Sequence, residues 1–194
     1  MSFERQVQKS RTRKALLAAA RSLLSEKATL TIPAVAEAAG ISRATAYRYF
    51  SDPSVLAAEA GLDISTKSYE DIVRGCTNTQ ERVRQVALFF FDQAIEHEAE
   101  FRMFLSRWLE SWRLQGGATT RGGRRVTMFR TALEGARERI GDSAFERLVH
   151  ELSVATGTEA MIALLDVAGT DRETARATIA HMAEVLVSGT LGKP

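Results

Sequence analysis

The chain has one cysteine, three prolines and three histidines among its 194 residues. A lone thiol, Cys76, excludes an internal disulfide and fits a reducing compartment. No apolar run approaches the roughly 20 residues that a membrane span requires, and the leading stretch MSFERQVQKSRTRK lacks the apolar centre of a signal peptide. A cytoplasmic protein without membrane contact is the expectation. His97, His150 and His181 lie more than thirty residues apart, so none shares a metal-ligand or catalytic-triad spacing with another. Glu96-His97-Glu98 with Glu100 reads as the solvated end of a helix rather than a cation site. A nucleophile elbow, a dinucleotide fingerprint and paired catalytic carboxylates are lacking too. An enzyme is therefore the weak second hypothesis, and no metal or cofactor is implied.

Scarce proline, with abundant Ala, Leu, Glu and Arg, points to an all-α chain of about nine helices, and no alternating strand pattern interrupts it. A hydrophobic content of 45% is enough for a core. The first helix is expected over Ser10 to Glu26, with Leu16, Ala20, Leu23 and Leu24 on its inner side. Ser51-Asp52-Pro53 opens a fourth helix reaching about Val73. A fifth carries Val83, Val86, Phe90 and Ala94, and a sixth runs from Phe101 to Leu114. Helices over Arg124 to Ile140, Ser143 to Val167 and Thr170 to Leu191 complete the count. The glycine-rich stretch between Gly116 and Gly123 reads as a connector, because no Gly-Lys-Ser/Thr follows it as a phosphate loop requires.

Charge is distributed unevenly. Residues 1–50 hold nine Lys/Arg against three Asp/Glu, whereas residues 51–194 hold seventeen against twenty-one. A basic N-terminal end joined to an acidic remainder is the electrostatic footprint of a phosphate-binding surface. Arg5, Lys9, Arg11, Arg13 and Lys14 concentrate the charge before and at the start of the first helix. They suit either an arm along the DNA backbone or a solvated tail.

Within the basic end, TIPAVAEAAGISRATAYRYF (residues 31–50) reads as two short helices joined by a tight turn. Thr31 caps the first, Pro33 fits its first turn, and Gly40 ends it. Ser42 caps the second. At about 100° per residue, Ala46 and Phe50 fall inward and Ala44 and Arg48 outward, flanked by Thr45 and Tyr47. An apolar inner side with hydroxyls, arginine and tyrosine outside is what a recognition helix in a major groove requires. An ordinary helical hairpin with a solvated face is the competing reading.

From about residue 12 to 57 the chain resembles the DNA-binding domain of the tetracycline-repressor (TetR) family of bacterial transcription regulators. The likeness is carried by Arg13-Lys14-Ala15-Leu16-Leu17-Ala18-Ala19-Ala20, by Val35-Ala36-Glu37-Ala38-Ala39-Gly40-Ile41-Ser42 and by Thr45-Ala46-Tyr47-Arg48-Tyr49-Phe50. Two positions depart from the family pattern: Pro53 stands where a backbone-contacting lysine is common, and Ala46 where a bulky aliphatic residue is usual. The resemblance implies residues 1–52 as a helix-turn-helix domain with a basic arm, and 53–194 as a helical effector-binding and dimerisation domain.

On that reading Arg43, Ala44, Tyr47 and Arg48 are the candidates for base edges of a double-stranded operator. Thr31, Ser42, Thr45 and Tyr49, with Arg11, Arg13 and Lys14, are the candidates for phosphates. Phe89, Phe90, Met103, Phe104, Trp108, Trp112, Met128 and Phe129, with Arg107, suit a pocket for an unknown, largely apolar small-molecule effector. The same aromatic residues equally suit core filling. Val154, Gly157, Thr158, Met161, Ile162 and Leu165, with Ile179, Met182, Ala183, Leu186 and Val187, give the last two helices more apolar surface than one core face needs. A homodimer through a four-helix bundle is the expectation, and a second intramolecular face is the alternative. The resulting function is a ligand-released repressor. The competing class is a helical protein-interaction module with a degenerate helix-turn-helix.

Overall fold

A computed structural model describes residues 3–26, 28–62, 67–114 and 123–192. The described residues are helical, without a strand: α1 (Phe3–Ser25), α2 (Ile32–Ala38), α3 (Arg43–Tyr49), α4 (Pro53–Leu62), α5 (Tyr69–Ile72), α6 (Thr79–Glu96), α7 (Glu98–Leu114), α8 (Arg124–Leu133), α9 (Arg137–Val154), α10 (Thr158–Ile162) and α11 (Arg172–Leu191). They form two compact units. The N-terminal unit takes in residues up to Thr66 together with Ala99–Arg121, and the C-terminal unit takes in Lys67–Glu98 and Gly122 onward.

The N-terminal unit closes around Leu16, Leu17 and Ala20 of α1, Ile32, Val35 and Ala36 of α2, Ala46 and Phe50 at α3, and Leu56 and Ala60 of α4. The inner stripe of α1 follows from residues three and four apart sharing a face. Leu24 lies four positions beyond Ala20 yet is 40% exposed, and Leu23 is the residue of that turn that packs against the core. Because Leu56 and Ala60 complete this core, α4 belongs to the N-terminal unit, although the sequence expectation starts the C-terminal domain at residue 53.

In the C-terminal unit α6, α8, α9 and α11 surround Phe91, Phe129, Phe145, Leu148, Leu152 and Ile179, all fully buried. Helices α6 and α11 run antiparallel with their polar edges in register. Gln80 Nε2 donates to Ser188 Oγ (3.3 Å), Arg84 pairs with Glu184 (2.9 Å), and Arg176 grips Asp92 with two nitrogens (2.7 and 3.0 Å). Arg172 reaches Glu98 at 2.9 Å.

Three sequence expectations are corrected. The fourth helix does not run unbroken to Val73: Lys67 and Ser68 are non-helical, and the Ser68 hydroxyl starts α5 by accepting from the Asp71 N–H. The helix expected over Arg124 to Ile140 tightens into a 3-10 turn at Glu134–Ala136, and the break expected after Ile140 falls where Gly141, at φ 76°, kinks α9. The helix expected over Ser143 to Val167 breaks after Val154 and resumes as α10, followed by a π-helical turn over Ala163–Val167. The cause of this break is Gly157, at φ 86°, with the Arg125 guanidinium laid against it. Arg125 donates to the Thr156 carbonyl (2.7 Å) and faces Glu159 at 3.5 Å. A Cβ on residue 157 would come within 1.7 Å of the guanidinium nitrogen, so the positive φ favours glycine and any side chain there would also have to displace Arg125. Apolar periodicity alone did not reveal this, because Val154 and Met161 keep helical spacing across the break. The glycine-rich connector lies outside the described residues except for Gly123.

Candidate nucleic-acid interface

The interface is built on two short helices whose ends are fixed by local chemistry. Thr31 Oγ1 accepts the Ala34 N–H (3.2 Å) to start α2, and Pro33 occupies a first-turn position whose N–H would have no helical partner. At the other end Gly40 takes φ 65°, its N–H donates to the Glu37 carbonyl (3.1 Å), and the Ile41 N–H reaches back to the Ala36 carbonyl (2.9 Å). These two bonds satisfy the last carbonyls of α2 and aim the chain into the next helix. Ile41 itself packs against the core. Ser42 Oγ then accepts the Thr45 N–H (3.2 Å) and donates to Thr45 Oγ1 (2.9 Å), which starts α3.

Only one residue within α3, Ala46, is buried. Its small side chain lets the helix sit close to the core, and Phe50 beyond its end supplies the bulk that Ala46 lacks. Arg43, Ala44, Tyr47 and Arg48 are exposed, Tyr47 at 50%. Arg43 and Arg48 have no hydrogen-bond or ion-pair partner among the described residues. Desolvation and ion pairing therefore do not compete with a ligand for these two guanidinium groups.

The residues expected at phosphates divide. Arg11 and Lys14 are exposed on α1. Thr31, Ser42 and Thr45 spend part of their hydrogen-bonding capacity as caps, and Tyr49 is half-buried against the core. Arg13 turns inward. Its Nε donates to Glu59 Oε1 (2.7 Å), a second nitrogen meets Glu59 Oε2, and its guanidinium carbon stands 4.5 Å from the centroid of the Phe50 ring. Neutralised by Glu59 and only 16% exposed along its side chain, Arg13 is a tie between helices and not a free cation for phosphate. Pro53, in place of a lysine, opens α4; there the Asp52 carboxylate accepts the Ser54 N–H (2.7 Å). The side chain of Arg5 lies outside the described residues.

The aromatic residues expected around an effector are distributed over both units. Met103, Phe104, Arg107, Trp108 and Trp112 stand on α7 in the N-terminal unit, where Phe104 is buried while Met103 (52%) and Trp112 (49%) are exposed. Phe89, Phe90, Met128 and Phe129 stand in the C-terminal unit. There Phe129 is fully buried and Met128 nearly so, whereas Phe89 and Phe90 meet edge to face, half-exposed, at 5.4 Å.

Among the residues expected at a dimer interface, Met161, Ile179, Ala183 and Val187 are buried within this single chain, and Gly157 and Thr158 are buried beside Arg125. Their apolar character is accounted for by the chain's own core. Val154 (79%) and Met182 (38%) remain exposed, Ile162, Leu165 and Leu186 are half-exposed, and Val185 (53%) adds an apolar side chain that periodicity had not singled out.

Residues 16–60 match the family model of bacterial regulatory proteins, tetR family. That span begins at Leu16 on α1 and ends at Ala60 on α4, so it coincides with the core of the N-terminal unit described above. No curated protein and no solved structure matches the chain. With its helix-turn-helix built as described and matched to that model, the N-terminal unit carries a DNA-binding domain of the kind found in tetR-family transcriptional regulators.

Proposed function

We propose that the protein acts in the cytoplasm as a homodimeric repressor that leaves a palindromic operator when a small, largely apolar ligand binds. The observation that carries the DNA-reading part is the exposed pair Arg43 and Arg48, unpartnered among the described residues, beside Tyr47 on a capped α3. In this reading Arg43, Ala44, Tyr47 and Arg48 meet base edges; arginine suits guanine bidentately and tyrosine suits a thymine methyl. Arg11, Lys14 and the Thr45 hydroxyl meet phosphates. The protein works by binding and carries out no turnover.

Two-fold pairing is supported by the apolar side chains that the single chain leaves uncovered on α11, Met182 and Val185, together with Val154 at the end of α9. Two copies of α3 then enter successive major grooves about 34–36 Å apart. Binding of the effector shifts the balance between operator-competent and incompetent dimers. A tenfold loss of affinity requires about 1.4 kcal/mol of coupling.

The test is selection of duplexes from a random pool by the purified protein, followed by comparison of wild type with Tyr47→Ala over a salt series. A palindromic site bound by wild type alone, with affinity falling steeply in salt, supports the reading. A pool without enrichment at low salt sinks it. Light scattering that finds only monomer at micromolar protein would remove the dimer.

A further inference from the structure

We propose that Arg13 is a positioning residue for DNA recognition, holding the end of the recognition helix to α4 and thereby setting the angle at which Arg43, Tyr47 and Arg48 are presented. The inference rests on the reading of α3 as the DNA-contacting helix. It assigns to Arg13 a role other than the phosphate contact that its sequence position suggests.

The geometry is that of a three-helix junction. Arg13 belongs to α1, Glu59 to α4, and Phe50 caps the C-terminal end of α3, its N–H closing the last turn on the Ala46 carbonyl at 2.9 Å. The guanidinium fork meets both carboxylate oxygens of Glu59, and its carbon lies over the Phe50 ring, 4.5 Å from the centroid. Lysine offers neither the fork nor the flat face. Both charged side chains are shielded, at 16% and 14% exposure, where pairing and cation–π attraction are stronger than at an open surface.

What makes this junction more than a stability device is how little else seats α3. Seven residues long, the helix fully buries only Ala46, with Tyr49 half-buried against the core beside it, so few side chains resist its rocking. Its N-terminal end is pinned by the turn at Gly40 and the Ser42 cap. Its C-terminal end rests on Tyr49 and on Phe50, over whose ring Arg13 lies. Releasing the guanidinium frees that end to tilt, and side chains that must meet base edges within a few tenths of an ångström are misplaced while the core stays closed.

The electrostatic sign separates this role from a phosphate contact. Removing Glu59's negative charge from a DNA-binding domain strengthens attraction to phosphate, so on charge grounds alone Glu59→Gln tightens binding. The positioning role requires the reverse.

The full-length protein is tested with two duplexes, one selected by wild type from a random pool and one of random sequence, over a salt series. Thermal unfolding of each variant is measured alongside. Arg13→Ala and Glu59→Gln are expected to weaken the selected duplex tenfold or more. They should lower the ratio of selected to random affinity and leave the slope of log affinity against log salt unchanged. Arg13→Lys, which keeps the charge, should stay weak as well. A purely structural role lowers the melting temperature and the active fraction but not the selected-to-random ratio of the folded protein, and that result overturns the proposal. So does a fall in salt slope of about one for Arg13→Ala with both duplexes weakened alike, which marks a phosphate contact. Tighter binding by Glu59→Gln also overturns it. If Arg13→Ala does not fold, Glu59→Gln and Arg13→Lys decide the matter. Wild type that binds neither duplex defeats the DNA-reading role of α3 itself, and the inference with it; wild type that binds beside unaffected variants defeats the inference alone.

Discussion

Arginines are used in opposite ways by α3 and by the C-terminal unit. In the C-terminal unit Arg84, Arg130, Arg137, Arg172 and Arg176 each face a carboxylate, so their charge is answered within the chain. On α3, Arg43 and Arg48 stand exposed without such partners among the described residues. An arginine paired at home adds little to attraction for a polyanion, whereas an unpaired one offers its full charge and five donors. Charge counting along the sequence locates the basic end, but pairing decides which cations are available there. Arg13 shows the difference within a single unit: it lies among basic neighbours yet is consumed by Glu59.

The sharpest break in that contrast is expected where an arginine is built into the fold. Gly157→Ala forces a side chain into a left-handed conformation and into the Arg125 guanidinium. It should destabilise by about 2–4 kcal/mol, adding the cost of the conformation to that of overpacking. Thermal unfolding should register a fall of roughly 5–15 °C. An unchanged melting temperature would mean that Arg125 moves aside at no cost.

Arg43→Ala tests the other side of the contrast. If Arg43 reads a base, binding should lose about 1–3 kcal/mol at particular base pairs, with the melting temperature unmoved. A uniform loss across mutated operators would reassign the residue to the backbone.

Smaller again is Arg176→Ala, which removes an exposed pair with Asp92. A loss of about 0.2–1 kcal/mol in denaturant unfolding is expected, with DNA affinity per folded molecule unchanged. Altered affinity would show that paired arginines do contribute to the DNA-facing field.

The least effect concerns acid. The Asp171 carboxyl is held below its ordinary range by hydrogen bonding from Thr174, first through the backbone N–H at 2.7 Å, where it caps α11. A depressed folded pKa contributes stability above the unfolded aspartate pKa, and that contribution is lost as pH falls through the folded value. Asp171→Asn should therefore flatten the acid limb of the melting curve slightly. Identical limbs for wild type and variant would show that the cap is not linked to protonation.

Features written locally in the chain were legible. Thr31, Gly40 and Ser42 act on residues within a turn of themselves, so spacing alone predicts both caps and the turn between the short helices. Phe50 and Ala46 fall inward as the helical period requires. Features made by residues distant in sequence were not. Glu59 lies forty-six positions beyond Arg13, and nothing in either neighbourhood announces their pairing. Apolar periodicity likewise could not divide Met161 and Ile179, which the chain buries itself, from Met182 and Val185, which it leaves exposed. The break at Gly157 needed Arg125, thirty-two positions earlier, to be seen as obligatory.

The register between α6 and α11 constrains where the chain can change its length. Steps of four and then eight residues along α6, from Gln80 to Arg84 to Asp92, are matched by equal steps backward along α11, from Ser188 to Glu184 to Arg176. Inserting one residue between these positions turns everything beyond it by about 100° and sets each later polar group opposite the wrong neighbour. Lineages descending from this sequence can lengthen or shorten their connectors freely, but within these two helices insertions and deletions should be purged while substitutions accumulate.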